Sequence, residues 1–113
     1  MRVIIHPKVV DYFLELASIF YDKGYFGLRE NAIKYSIELF EDIRDNLPNK
    51  HSRIAPKYFD KHGDGMFYAV FKRNKNTSWY VFFNICQVNE ETLYFVRYVN
   101  NNHIIAQYLQ DTY

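Results

Sequence analysis

At 113 residues the chain has the length of one domain, expected to span residues 1–113, and has little room for two. Its one cysteine, Cys86, excludes an internal disulfide, and no apolar run approaches the ~20 residues that a membrane helix needs. With no such run and no signal peptide read at the start, a cytoplasmic protein is the expectation, and a net charge of only +1 by itself implies no polyanionic partner.

The charge is unevenly spread. Residues 1–49 sum to −2 and residues 76–113 to −2, whereas residues 50–75 carry seven Lys/Arg against Asp60 and Asp64 and sum to +5. Such a segment is either a phosphate footprint or a solvated loop and hairpin. Composition adds a second oddity: 11 Tyr and 10 Phe bring the aromatic share to 19%. Rings of this kind fill a small core, and tyrosines can also carry it outward to a contact surface.

In chain order, residues 1–5 (MRVII) read as an edge or initiating strand. His6–Pro7 suits a helix start, because proline is tolerated where the amide has no helical partner. Residues 7–23 place Val9, Val10, Phe13, Leu14, Ala17, Phe20 and Tyr21 at helical spacing. Gly24 and Gly27 punctuate the turn after this helix. A second helix is expected over 28–47, with Ala32, Ser36, Leu39, Phe40, Ile43 and Leu47 on one stripe. Ile33, Tyr35 and Ile37 widen that stripe, and Pro48 ends the helix.

Character then changes. Residues 49–55 read as an exposed basic loop, 57–59 as a short strand and HGDG (62–65) as a turn. Strands are expected over 66–72, 78–88 and 92–100, joined by a polar hairpin tip at 73–77 and a turn at 89–91. Strict alternation sets Tyr94, Val96 and Tyr98 against Leu93, Phe95, Arg97 and Val99. Residues 103–109 suit one or two helical turns. The expected fold is α+β, in the order β-α-α-β-β-β(-β)-α, with a two-helix hairpin on one face of an antiparallel sheet.

Chemistry-bearing residues are few. Arg97 is the one Lys or Arg after Lys75 and sits inside an apolar strand, where a guanidinium either grips phosphate or pairs with an acid. His103 comes after that strand, and an imidazole there is a proton-transfer candidate or a cap. Arg73 is a third catalytic candidate. Lys72 and Lys75 of the same hairpin, with Arg53, Lys57 and Tyr98, are candidate phosphate or RNA contacts. Trp79 and Tyr80 point to opposite faces, so at most one can stack on a base. Cys86, beside Phe83, Ile85 and Val88, reads as a buried thiol. His6, His51 and His62 lack metal-ligand spacing, and no cofactor motif is present, so neither metal nor cofactor is expected.

The helical pair closing with IRDNLP (43–48), the segment APKYFDKHGDGMFYAVFKRNKNTSWYVFF (55–83) and TLYFVRYVNNNHIIAQYL (92–109) together resemble the RelE/ParE superfamily of bacterial toxins. The plasmid-stabilisation-type members are the most similar. The resemblance implies the toxin of a type II toxin–antitoxin system, bound by a cognate antitoxin. It further implies one of two targets: mRNA on the ribosome, cut by an endoribonuclease that inhibits translation, or DNA gyrase, inhibited without cleavage. A non-toxic relative is the remaining alternative. The strand YFVRYV (94–99) resembles its HigB-like counterpart, where Arg97 matches an arginine and His103 stands one position after the matching histidine.

Overall fold

The structure is a computed structural model and describes residues 1–24 and 26–109. Strand β1 (Arg2–Ile5) leads into helix α1 (Pro7–Asp22), and α2 (Arg29–Asn46) comes next. A 3₁₀ turn (Leu47–Asn49) precedes the two-residue β2 (Arg53–Ile54) and a 3₁₀ helix (Lys57–His62). Strands β3 (Phe67–Asn74), β4 (Thr77–Val88) and β5 (Glu91–Asn101) succeed them, and α3 (Asn102–Leu109) comes last. This is the expected α+β order, with β2 as the additional strand inside the basic segment 49–55.

The five strands form one sheet in the order β1-β5-β4-β3-β2. Three pairings are antiparallel, and β1 runs parallel to β5, with Ile5 opposite Val96. A parallel neighbour needs a crossover, and here both long helices and three strands intervene between the pair. Local chemistry starts α1 directly at the sheet edge. His6 donates its backbone N–H to the Val96 carbonyl at 2.9 Å, and its ring accepts from Lys8 N at 3.0 Å. Pro7 then occupies the first helical turn, where no helical amide is missed.

The main core lies between the helical hairpin and one face of the sheet. It joins Val9, Phe13 and Leu16 of α1 and Leu39 and Ile43 of α2 to Ala69, Phe71, Trp79, Val81, Phe83, Val96 and Val99. The helix stripes are narrower than the sequence suggests. Leu14 is exposed whereas Leu16 is buried, and Ile33 and Ile37 face outward, leaving Tyr35 alone of the three widening residues against the core.

The opposite face is not bare. Phe59, Met66, Phe82 and Ile105 make a second small core there, beneath the 3₁₀ helix Lys57–His62 and α3. Residues 57–59 therefore do not form the expected strand. Phe59 N donates to the Pro56 carbonyl at 3.0 Å, which closes a tight turn and lays the Phe59 ring on Phe82 with centroids 4.3 Å apart. Cys86 is also a correction: it is exposed, near the end of β4 where Ile85 and Val88 are exposed too. A two-residue turn at Asn89 and Glu90, both with positive φ (52° and 66°), closes that hairpin. No helix among the described residues is long and apolar enough to cross a membrane.

Candidate functional site

The ladder between β4 and β5 slips by one residue. Phe82 is opposite Tyr98 and Phe83 opposite Val96, so Arg97 is the extra residue of a β-bulge and has no partner across the ladder. A bulge puts two consecutive residues on one side and re-aims the rest of the strand. Val96 and Val99 thus face the helices, whereas Tyr98 joins the second core on the other face. The strict alternation expected for 93–99 holds as far as Arg97 and breaks immediately after it.

Arg97 reaches the rim of the 3₁₀ helix. Its Nε donates to the His62 carbonyl at 2.9 Å and its Nη1 donates to Asn84 Oδ1 at 3.4 Å. Asn84 in turn donates from Nδ2 to the Asp64 carbonyl at 2.9 Å, which ties the 62–65 turn to β4. The guanidinium also lies 5.4 Å from the Phe95 ring centroid. Both hydrogen-bond acceptors are neutral, and among the described residues no carboxylate pairs with Arg97. Three of the five guanidinium N–H groups are left over, enough for a two-pronged grip on a phosphate.

His62 completes the cluster. Its ring lies flat on Tyr98, with centroids 3.8 Å apart and 5° between planes. Burial, and then the neighbouring Lys61 ammonium, hold its pKa below the ordinary 6.5. The ring is therefore neutral at pH 7 and can accept a proton. The Lys61 ammonium itself sits 4.1 Å over the Tyr58 ring, and Tyr58 stacks on Tyr108 of α3 with centroids 3.7 Å apart. That stack fastens α3 to the 3₁₀ helix beside the site. Towards β2, an open groove of about 630 Å³ is lined by Lys50, His51, Arg53, Tyr68, Val70 and Tyr80 among others.

The sequence candidates are divided by the sheet. Arg97 and Tyr98 come together, Arg53 lines the groove beside β2, and exposed Lys57 opens the 3₁₀ helix that ends in His62. Lys72 lies on the strand alternation of Tyr68 and Val70, and Lys75 is exposed in the two-residue hairpin turn. Arg73 is elsewhere. It too is a bulge residue, between Lys72 opposite Ser78 and Asn74 opposite Thr77, but its Nη1 pairs with Asp42 of α2 at 3.2 Å. His103 is also apart from Arg97: it is the second residue of α3 and lines a cavity against the helical hairpin. Tyr80 is the half-buried member of its pair and Trp79 the buried one.

His62, Lys61 and Asn84 belong to this cluster and are not singled out as site candidates by the sequence. The HGDG run announces a turn, and nothing local shows that the turn folds back onto a strand 35 residues later. Among the described residues no group of His, Cys, Asp and Glu could hold a metal ion. Compared with family models, curated proteins and solved structures, the chain gives no significant match.

Proposed function

We propose that this chain is the toxin of a toxin–antitoxin pair and acts in the cytoplasm as an endoribonuclease on mRNA held by the ribosome. The observation that carries the reading is Arg97: a bulge aims it at the face away from the helical hairpin, and no described acid neutralises it. Arg97 holds the scissile phosphate, and neutral His62 takes the proton of the neighbouring 2′-hydroxyl. The 2′-oxygen then bonds to phosphorus as the bond to the 5′-oxygen breaks, leaving a 2′,3′-cyclic phosphate and a 5′-hydroxyl. The departing oxygen receives its proton from the Lys61 ammonium or from water. Tyr68 and Tyr80, beside Arg53, offer ring faces to flanking bases.

The ribosome enters through charge. A chain of net charge +1 gains little from counterion release on free RNA, so a host that already presents the mRNA supplies what the protein lacks. The test is cell-free translation of a defined mRNA with purified protein, read by primer extension with and without ribosomes. Ribosome-dependent cuts that disappear in a folded Arg97→Ala variant support the reading. Uncut RNA with normal translation overturns it and directs attention to a protein target such as DNA gyrase.

A further inference from the structure

A second cavity lies on the other side of the sheet, at the end of the helical hairpin where α1 connects to α2. It measures about 330 Å³ and is lined by Phe20, Phe26, Tyr35 and Trp79, with Asn74, Thr77, Asn101 and His103 also facing it. Five segments meet there: the end of α1, the α1–α2 connection, α2 through Tyr35, the β3–β4 hairpin and the junction of β5 with α3.

The walls are rings set at steep angles to one another. Phe20 stands at 83° to Tyr35 and at 68° to Trp79, with centroids 5.4 and 6.0 Å away, and Phe26 closes the corner 5.5 Å from Tyr35. Such a corner offers a flat molecule one ring face to lie on and ring edges to abut. The buried indole is fixed by its own hydrogen bond, Trp79 Nε1 donating to Tyr35 Oη at 2.9 Å, which leaves the Tyr35 hydroxyl proton to donate elsewhere.

The polar atoms gather on the strand side. Asn101 Oδ1 accepts from His103 N at 3.0 Å, so the Asn101 amide keeps both its N–H donors. Thr77 adds a hydroxyl and His103 an imidazole. No Lys, Arg, Asp or Glu is among the described residues lining the cavity. The site thus has apolar ring walls, one polar edge of hydrogen-bond donors and acceptors, and no Lys, Arg, Asp or Glu to pair with an ion. Its volume is at the small end of ligand pockets.

We infer that this cavity binds a small, planar, uncharged nitrogen heterocycle, of the size of a nucleobase or nucleoside, through the Phe26/Tyr35/Trp79 ring corner and the Asn101/Thr77 edge. Nothing in this inference depends on the nuclease reading, since the cavity is on the face of the sheet opposite Arg97. Trp79 is the one tryptophan of the chain and lies in the wall, so its fluorescence reports on the cavity alone.

The experiment is a titration of the full chain with adenine, adenosine and AMP, monitored by Trp79 fluorescence, and with indole, whose own emission overlaps that of tryptophan, by calorimetry beside adenine. The expected result is saturable quenching by adenine and adenosine that weakens at least tenfold in Phe26→Ala and in Thr77→Val. The Thr77→Val change keeps a β-branched side chain, so a folding defect does not confuse the outcome; far-ultraviolet circular dichroism of both variants checks it. AMP should bind more weakly than adenosine, because the phosphate finds no Lys or Arg in the lining, and indole more weakly than adenine, because it cannot use the polar edge. No saturable change at millimolar base, equal quenching in both variants, or indole binding as tightly as adenine would each overturn the inference.

Discussion

Gly63 packs against Arg97 so closely that a Cβ at position 63 would stand 2.6 Å from Arg97 Nε and 2.7 Å from Cδ. The φ of Gly63 is 160°, extended backbone that other residues adopt, so the need for glycine lies in the contact. A methyl group there must push the middle of the Arg97 side chain away from the His62 carbonyl. Gly63→Ala is therefore expected to keep the fold, to cost about 1 kcal/mol for the lost hydrogen bond, and to lower ribosome-dependent cleavage at least tenfold. Denaturant melts beside the cleavage assay check it. Unchanged cleavage in a folded variant would show that the position of Arg97 is immaterial.

The bulge makes a sharper test possible. Deleting Arg97 outright would bring Val96 and Tyr98 together as consecutive residues, already opposite Phe83 and Phe82 in the present ladder. The regular alternation is then restored with Val96 still facing the helices and Tyr98 still facing Phe59. The deletion variant is expected to fold, with stability within about 1 kcal/mol of the parent, and to lack cleavage altogether. Amide spectra of β4 and β5 would reveal whether the ladder closes. A protein that fails to fold would mean that the bulge serves the sheet rather than the arginine.

How far the sequence can be read depends on the range of the interactions. His6–Pro7 starts a helix by local bonding, and the α2 stripe of Ala32, Ser36, Leu39 and Ile43 comes from helical period alone; both are as expected. Arg97 is also legible as an outlier in an apolar strand. The bulge beneath it is not, because a one-residue slip depends on which residues lie across the ladder. The 3₁₀ helix at 57–62 is hidden for the same reason, since its shape is settled by Phe59 finding Phe82. Sequence distance likewise conceals that Arg73 meets Asp42 and that His62, not His103, lies beside Arg97.

His62 should reveal itself through pH. Its folded pKa lies below 6.5, first through burial and then through Lys61, while the unfolded chain keeps the ordinary value. Between those two values the unfolded state binds more protons, so this residue's contribution to stability is complete above about 6.5 and is lost as pH falls through the window beneath it. A titration of the His62 ring protons by nuclear magnetic resonance should give a midpoint below that of the histidines in the unfolded chain. Lys61→Ala should raise the midpoint only part of the way, because burial is the larger cause. A midpoint at or above 6.5 in the parent protein would remove His62 as the neutral base.

Arg73 should behave in the opposite way to Arg97. Its guanidinium is pinned to Asp42, both side chains are about one-quarter exposed, and its buried Nη2 finds no partner among the described residues. A half-buried pair of this kind lies between exposed bridges, which contribute under about 1 kcal/mol, and buried ones, whose breakage costs several. Arg73→Ala is expected to cost about 1–2 kcal/mol in a denaturant melt, since it leaves the Asp42 carboxylate on α2 without its counter-charge and with only the Asn46 amide as a hydrogen-bond partner. Adding Asp42→Ala should recover part of that loss. Cleavage per folded molecule should stay at the parent level in both variants, because the pair stands on the helix side of the sheet. Loss of cleavage without loss of stability in Arg73→Ala would return Arg73 to the catalytic set and place the active surface on the wrong face here.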